Sequence, residues 1–360
     1  MADLNQKPEN SGFTDPGEKD HRDEYMNSDY VLNRSKMNLM RVWSVIYPVL
    51  LYSLIMLVTM YFSMMAIIVR DMMIEVGPIE QLTVQEYQDQ LVDFMAKAKT
   101  DVKMRAYYET FEAYSPMVTF ISNMVALPVV LILLIWDEFW KNRRKMMYIR
   151  QNPEAKTPAE APPSDDFLCV GLSLIFGVGM CLAANLFVSL LKLGGSEVSA
   201  AASSGRTYGV LYEIQNSVLF QIVSVVIVAA TVEELLFRGV IFRRLCSGGG
   251  IFFPVLISSM IYASFYGTAA GFVFGFLVAV GAAYLYYRTR NLKTPVFYHI
   301  FLNAMTLVFT LLGAHTNAFF GSTRRVVLAF LIGLVLLAFA IIFIEYYLPK
   351  VPKEPEKGEK

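Results

Sequence analysis

Apolar runs long enough to cross a bilayer constrain this chain more than any other feature. A hydrocarbon layer about 30 Å thick takes about 20 helical residues to span, and a helix closes its backbone hydrogen bonds within itself. Eight segments qualify as candidate spans, near 42–69, 115–136, 167–191, 217–238, 251–266, 271–287, 294–312 and 325–347, the fifth being short. The expected fold class is therefore all-α, a polytopic membrane helix bundle of about eight transmembrane helices. Composition agrees: 55% of the 360 residues are hydrophobic, and the 17% that are charged fall mostly between the apolar runs. Net charge is zero, which implies neither a nucleic acid nor an acidic partner. Cys169, Cys181 and Cys246 lie in or beside apolar spans, an odd set that argues against a disulfide framework or zinc cluster. With only His21, His299 and His315 available, no metal site and no cofactor are expected.

Basic residues set the orientation. Lys141, Arg143, Arg144, Lys145, Arg150 and Lys156 follow the second span, and Arg238, Arg243 and Arg244 end the fourth. Arg288, Arg290 and Lys293 follow the sixth. The positive-inside rule then places both termini in the cytoplasm. The resulting division is a disordered cytoplasmic tail (1–41), two N-terminal spans with their connections (42–166), a core (167–347) and a second cytoplasmic tail (348–360). Within the second unit, 70–114 is an extracytoplasmic loop and 137–166 a cytoplasmic linker, Pro-rich from Pro153 to Pro163. The expected setting is a prokaryotic plasma membrane, with the bilayer as one partner and oligomeric state left open.

Inside the 70–114 loop, Thr83 and Glu86 have capping-box spacing. Val84, Tyr87, Leu91, Phe94, Ala98 and Val102 then recur at helical spacing, which predicts an amphipathic helix on the outer membrane face. Gly267, Gly271, Gly275, Ala279 and Ala283 form a four-residue ridge that reads as helix packing.

Chemistry concentrates where charge enters the apolar runs. Thr231-Val-Glu233-Glu234-Leu-Leu-Phe-Arg238 puts two carboxylates and a guanidinium at the end of one span, where a charge is costly and marks a functional site by default. Glu234 and Arg238, four apart, can pair. Glu233 lies about 100° round the helix and is left available as a general base. His299 and Asn303 share a face of the seventh span. At about 1.5 Å per residue, Glu233 and His299 each sit roughly 7–9 Å inward from Arg238 and Lys293. Gly248-Gly249-Gly250 would turn the chain so that Tyr266 comes level with Glu233 as a further candidate catalytic residue, with Tyr262, one turn before it, in a supporting place.

These residues resemble a known family. Glu233-Glu234-Leu-Leu-Phe-Arg238 is similar to the EExxxR motif of CPBP intramembrane proteases, the CAAX prenyl endopeptidase and Abi group. His299-Ile-Phe-Leu-Asn303 is similar to their HxxxN motif, and the resemblance covers about 167–312. It implies a glutamate-dependent endopeptidase despite the "metalloprotease" label often given to the group. Glu233 would activate water, His299 and Asn303 would stabilise the oxyanion, and Glu234 and Arg238 would hold the helix end. The family's FxxxH motif departs here to Tyr262-Ala-Ser-Phe-Tyr266, so a tyrosine stands where the partner histidine is expected. A phenol with a pKa of about 10 donates a hydrogen bond but does not readily share a proton at neutral pH.

The first expectation is an endopeptidase cutting a membrane peptide or protein near the cytoplasmic side, as in CAAX-type or bacteriocin-related processing. The second is a catalytically silent relative that binds membrane segments or partners, motivated by Tyr266. The third is a small-solute transporter with Glu233 as a proton or cation site; no repeated half-bundle and no Gly/Pro-broken helix pair in the sequence supports it.

Overall fold

The computed structural model describes residues 39–76, 83–151, 166–190, 218–246, 251–266, 268–311 and 323–347. Expectations for the tails, the 153–163 linker, the 248–250 turn, Gly267, His21 and His315 lie outside these residues. Among the described residues every regular element is helical. We number the helices α1 (Leu39–Val76), α2 (Val84–Ala98), α3 (Asp101–Ala113), α4 (Ser115–Gln151) and α5 (Asp166–Leu190). They continue as α6 (Val218–Leu245), α7 (Phe252–Ser264), α8 (Ala269–Thr289), α9 (Lys293–Leu311) and α10 (Thr323–Tyr347). Each of the eight expected spans is a helix. Six are long and apolar enough to cross a membrane. Of the other two, α7 has 13 residues, about 20 Å of rise. The second, α9, has 19 residues but carries Lys293, Thr294, His299, Asn303 and Thr306.

α6 is the hub, packed against α1, α4, α7, α8 and α9. Small residues set the closest approaches elsewhere. A Cβ on Gly177 of α5 would lie 3.0 Å from the Tyr298 carbonyl of α9, and one on Gly333 of α10 2.9 Å from the Ala183 amide of α5. Backbones can come that near only where no side chain intervenes. Leu50, Leu54, Leu57, Tyr61 and Phe62 of α1 stay exposed, as expected of a face meant for lipid.

Ion pairs fasten the helices at both ends. Arg244 at the end of α6 grips Asp137 of α4 through Nε and Nη2, both at 2.8 Å, and donates to the Ser44 carbonyl of α1. Arg243 reaches Glu138 at 3.2 Å, and Arg288 of α8 reaches Glu345 of α10 at 2.9 Å. At the far end of α1, Lys103 of α3 bridges Asp71 and Glu75, and Tyr107 donates to Asp71 at 2.8 Å. Burial, then the Asp71 carboxylate, push the Tyr107 phenol up to about 12.

The loop helix forms where the capping box requires it. Thr83 accepts from the Glu86 amide at 3.3 Å and the Glu86 carboxylate accepts from the Thr83 amide at 2.9 Å. Of the predicted apolar stripe only Phe94 is buried, while Val84 and Val102 are exposed. Val102 belongs to a second helix, α3, which the sequence pattern does not separate from the first.

Candidate active site

Two departures from α-helical winding frame the charged turn of α6. Ile222–Ala229 and Leu235–Phe242 are π-helical, and the α-helical turn Ala230–Glu234 lies between them. Such i→i+5 stretches are uncommon and concentrate at functional sites. Their wider turns advance less per residue, so α6 covers less depth than its residue count suggests. Across from this turn, Tyr262 of α7 bonds Glu233.

Glu234 is fully buried and its Oε1 serves two helices. It accepts from Arg238 Nη1 at 3.1 Å and from His299 Nδ1 at 2.9 Å. An ionised carboxylate can only accept, so the Nδ1 proton of His299 belongs to this bond and Nε2 faces the other way. Arg238, also buried, donates through Nη2 to the Ala279 carbonyl at 2.7 Å and lies 5.3 Å from the Tyr262 ring centroid. Ala279 therefore contributes a hydrogen-bond acceptor as well as the packing expected of the small-residue ridge. Gly275, one turn earlier on α8, makes room for Tyr266: a Cβ there would fall 2.6 Å from its ring.

The sequence assigns Glu234 to Arg238 alone; the structure adds His299, so the two motifs meet through one oxygen atom. It also assigns Tyr262 a supporting place, yet its hydroxyl sits at the centre. Tyr262 donates to Glu233 Oε2 at 3.1 Å, and its oxygen lies 3.0 Å from the Tyr266 hydroxyl and 3.4 Å from His299 Nε2. Glu233 and Tyr266 are both 8% exposed, so the cluster is buried but not sealed. Phe237 and His299 meet the Tyr262 ring edge-on, at centroid distances of 5.0 and 6.1 Å.

Glu233, Tyr262, Tyr266, His299, Glu234 and Arg238 are thus brought into one network. Asn303 lies along α9 from it: its Nδ2 donates to the Val225 carbonyl at 3.2 Å, in the first π stretch of α6. Arg238 is buried against Glu234, and the next basic residues of α6, Arg243 and Arg244, follow Glu233 by ten and eleven residues, or roughly 15–17 Å of α-helical rise at most. Among the described residues no group of three or more His, Cys, Asp or Glu side chains is arranged to hold a metal ion.

The family model described as type II CAAX prenyl endopeptidase Rce1-like matches residues 215–305, the stretch that carries every residue of this network. The chain is 32% identical over 156 residues to YdiL of Bacillus subtilis (strain 168), which carries the name of a membrane peptidase. That match covers 39% of this chain and 58% of YdiL, so the chain spans less than two thirds of its relative's length. No solved structure matches the chain. With its apolar helices, the protein is an integral membrane protein, and the part of it that carries the network is similar to type II CAAX prenyl endopeptidases of the Rce1-like family.

Proposed function

We propose that this protein is a glutamate-dependent intramembrane endopeptidase that cleaves a membrane-associated peptide or protein nearer the cytoplasmic side. The observation that carries the reading is the buried Glu233 carboxylate, joined through the Tyr262 hydroxyl to a histidine whose far nitrogen is anchored by a second carboxylate. Glu233 would take a proton from water as that water attacks the peptide carbonyl. A base in so dry a setting is spared competition from bulk solvent. The Glu234 carboxylate fixes the His299 ring and stabilises positive charge on it, as a carboxylate does for the histidine of a hydrolytic triad. Arg238 in turn sets a guanidinium against the Glu234 carboxylate, 3.1 Å away. Asn303, with one N–H on the Val225 carbonyl, has a second to offer a developing oxyanion. Hydrophobic helices on every side make a membrane-embedded segment the fitting substrate, and the positive-inside rule puts both termini of the protein in the cytoplasm.

The test compares protein termini in cells expressing the wild type, Glu233→Gln or Tyr266→His. Cleavage ends present in wild type and reduced at least about 10²-fold in Glu233→Gln are the expected result. Equal ends in both would reject Glu233 as the base. The tyrosine at 266 favours one other reading, a catalytically silent family member that binds membrane segments. Ends absent in wild type and present in Tyr266→His would select it.

A further inference from the structure

The hydroxyl of Tyr262 lies within 3.4 Å of three polar groups, Glu233 Oε2 of α6, Tyr266 Oη of the turn after α7 and His299 Nε2 of α9. It has one proton to give and two lone pairs to offer. With the proton on Glu233, Tyr266 must be the donor to Tyr262, and His299 Nε2 faces the same oxygen. A rotation of the phenolic O–H turns the donation from Glu233 to His299 with no movement of heavy atoms. The site so lacks a histidine at 266 but keeps a continuous hydrogen-bonded path between its base and its remaining histidine.

Resting on the endopeptidase reading, we infer that Tyr262 is the proton-relaying partner of Glu233, taking over at position 262 the work expected of a histidine at 266. Glu233 takes a proton from water while the water oxygen bonds to the carbonyl carbon. The carboxylic acid then donates to Tyr262 Oη as Tyr262 donates its own proton to His299 Nε2. The resulting imidazolium is held by the Glu234 carboxylate 2.9 Å from Nδ1. When the C–N bond breaks, the proton returns along the same path and ends on the leaving amine, so no other reactant is needed. Tyr266 tunes the relay by donating to Tyr262, and its ring is fixed in the space that Gly275 leaves. The titratable groups at this oxygen are Glu233 from α6, Tyr266 from the turn after α7 and His299 from α9, while Arg238 lies over the Tyr262 ring and Glu234 holds the far side of His299.

The experiment uses membranes from cells expressing the full chain, incubated from pH 6 to 9, with Glu233-dependent cleavage ends quantified over time. Tyr262→Phe preserves the ring, its edge contact with Phe237 and its place beside Arg238, and removes only the oxygen. The expected result is a fall of about 10²-fold in rate with an altered pH profile and normal protein abundance. The double variant Tyr262→Phe with Tyr266→His is expected to recover at least tenfold, since a histidine restores a proton carrier. Tyr262→Phe within twofold of wild type, while Glu233→Gln is inactive, would overturn the relay and leave the endopeptidase reading standing. A rate increase in Tyr262→Phe would overturn it too, showing a hydroxyl that blocks the water. No Glu233-dependent ends in wild type would overturn the endopeptidase reading itself, and the relay with it.

Discussion

One oxygen of Glu234 holds both Arg238 on its own helix and His299 on α9. Removing one member of a buried ion pair leaves the other charge uncompensated, at a cost of about 3–5 kcal/mol. Arg238→Ala is therefore expected to lower stability by about that amount in detergent unfolding measurements. Glu234→Gln is expected to cost less, since an amide oxygen can still accept from Arg238 and His299. Equal losses in the two variants would contradict this ranking. The sequence spacing was enough to pair Glu234 with Arg238, because i, i+4 neighbours meet on any helix. It could not pair Glu234 with His299, 65 residues away, nor raise Tyr262 from support to centre. The clue was present, since Tyr262 shares a helical face with Tyr266, but a contact between helices depends on their axial register.

Individual helices were legible to the extent that local rules govern them. The capping box at Thr83 and Glu86 is such a rule, and α2 begins where it requires. α3 went unread because its one buried apolar side chain among the described residues, Tyr107, sits beside exposed Val102 and Met104 and makes no periodic stripe. What holds α3 is the polar clamp to α1. Tyr107, raised from about 10 to about 12, is favoured in its neutral form by folding. Its contribution is thus complete below pH 10 and lost as pH rises through about 12. In a spectrophotometric titration, the tyrosinate signal absent from Tyr107→Phe is expected to appear only near pH 12. Replacing Asp71 by Asn is expected to lower it only in part, since burial, the larger cause, remains; a signal already near 10 in wild type would contradict the clamp. The π stretches of α6 were not legible at all, since apolar residues fill nearly every position of Ile222–Ala229 and leave no period to read.

For the molecule as a whole, ion pairs fasten two opposite ends of the helices, and charge patterning in the sequence alone assigns one of them to the cytoplasm. Arg243 and Arg244 tie α6 to Asp137 and Glu138 of α4 at the end assigned to the cytoplasm, and the Lys103 clamp closes the opposite end. Cys169, Cys181 and Cys246 are all buried, so introduced thiols can be read against a quiet background. Gln88→Cys on α2 is expected to react with a membrane-impermeant maleimide on intact cells, and Asn142→Cys on α4 only after permeabilisation. The reverse pattern would invert the topology. The two π stretches carry a last consequence, for how such chains are compared with one another. A helix that changes its pitch around its charged turn is not a ruler. Counting residues from a glutamate pair to the next basic cluster measures chain length, not distance through the membrane. Two relatives with identical spacing can hold their carboxylates at different heights, and two with spacing that differs by one can hold them level.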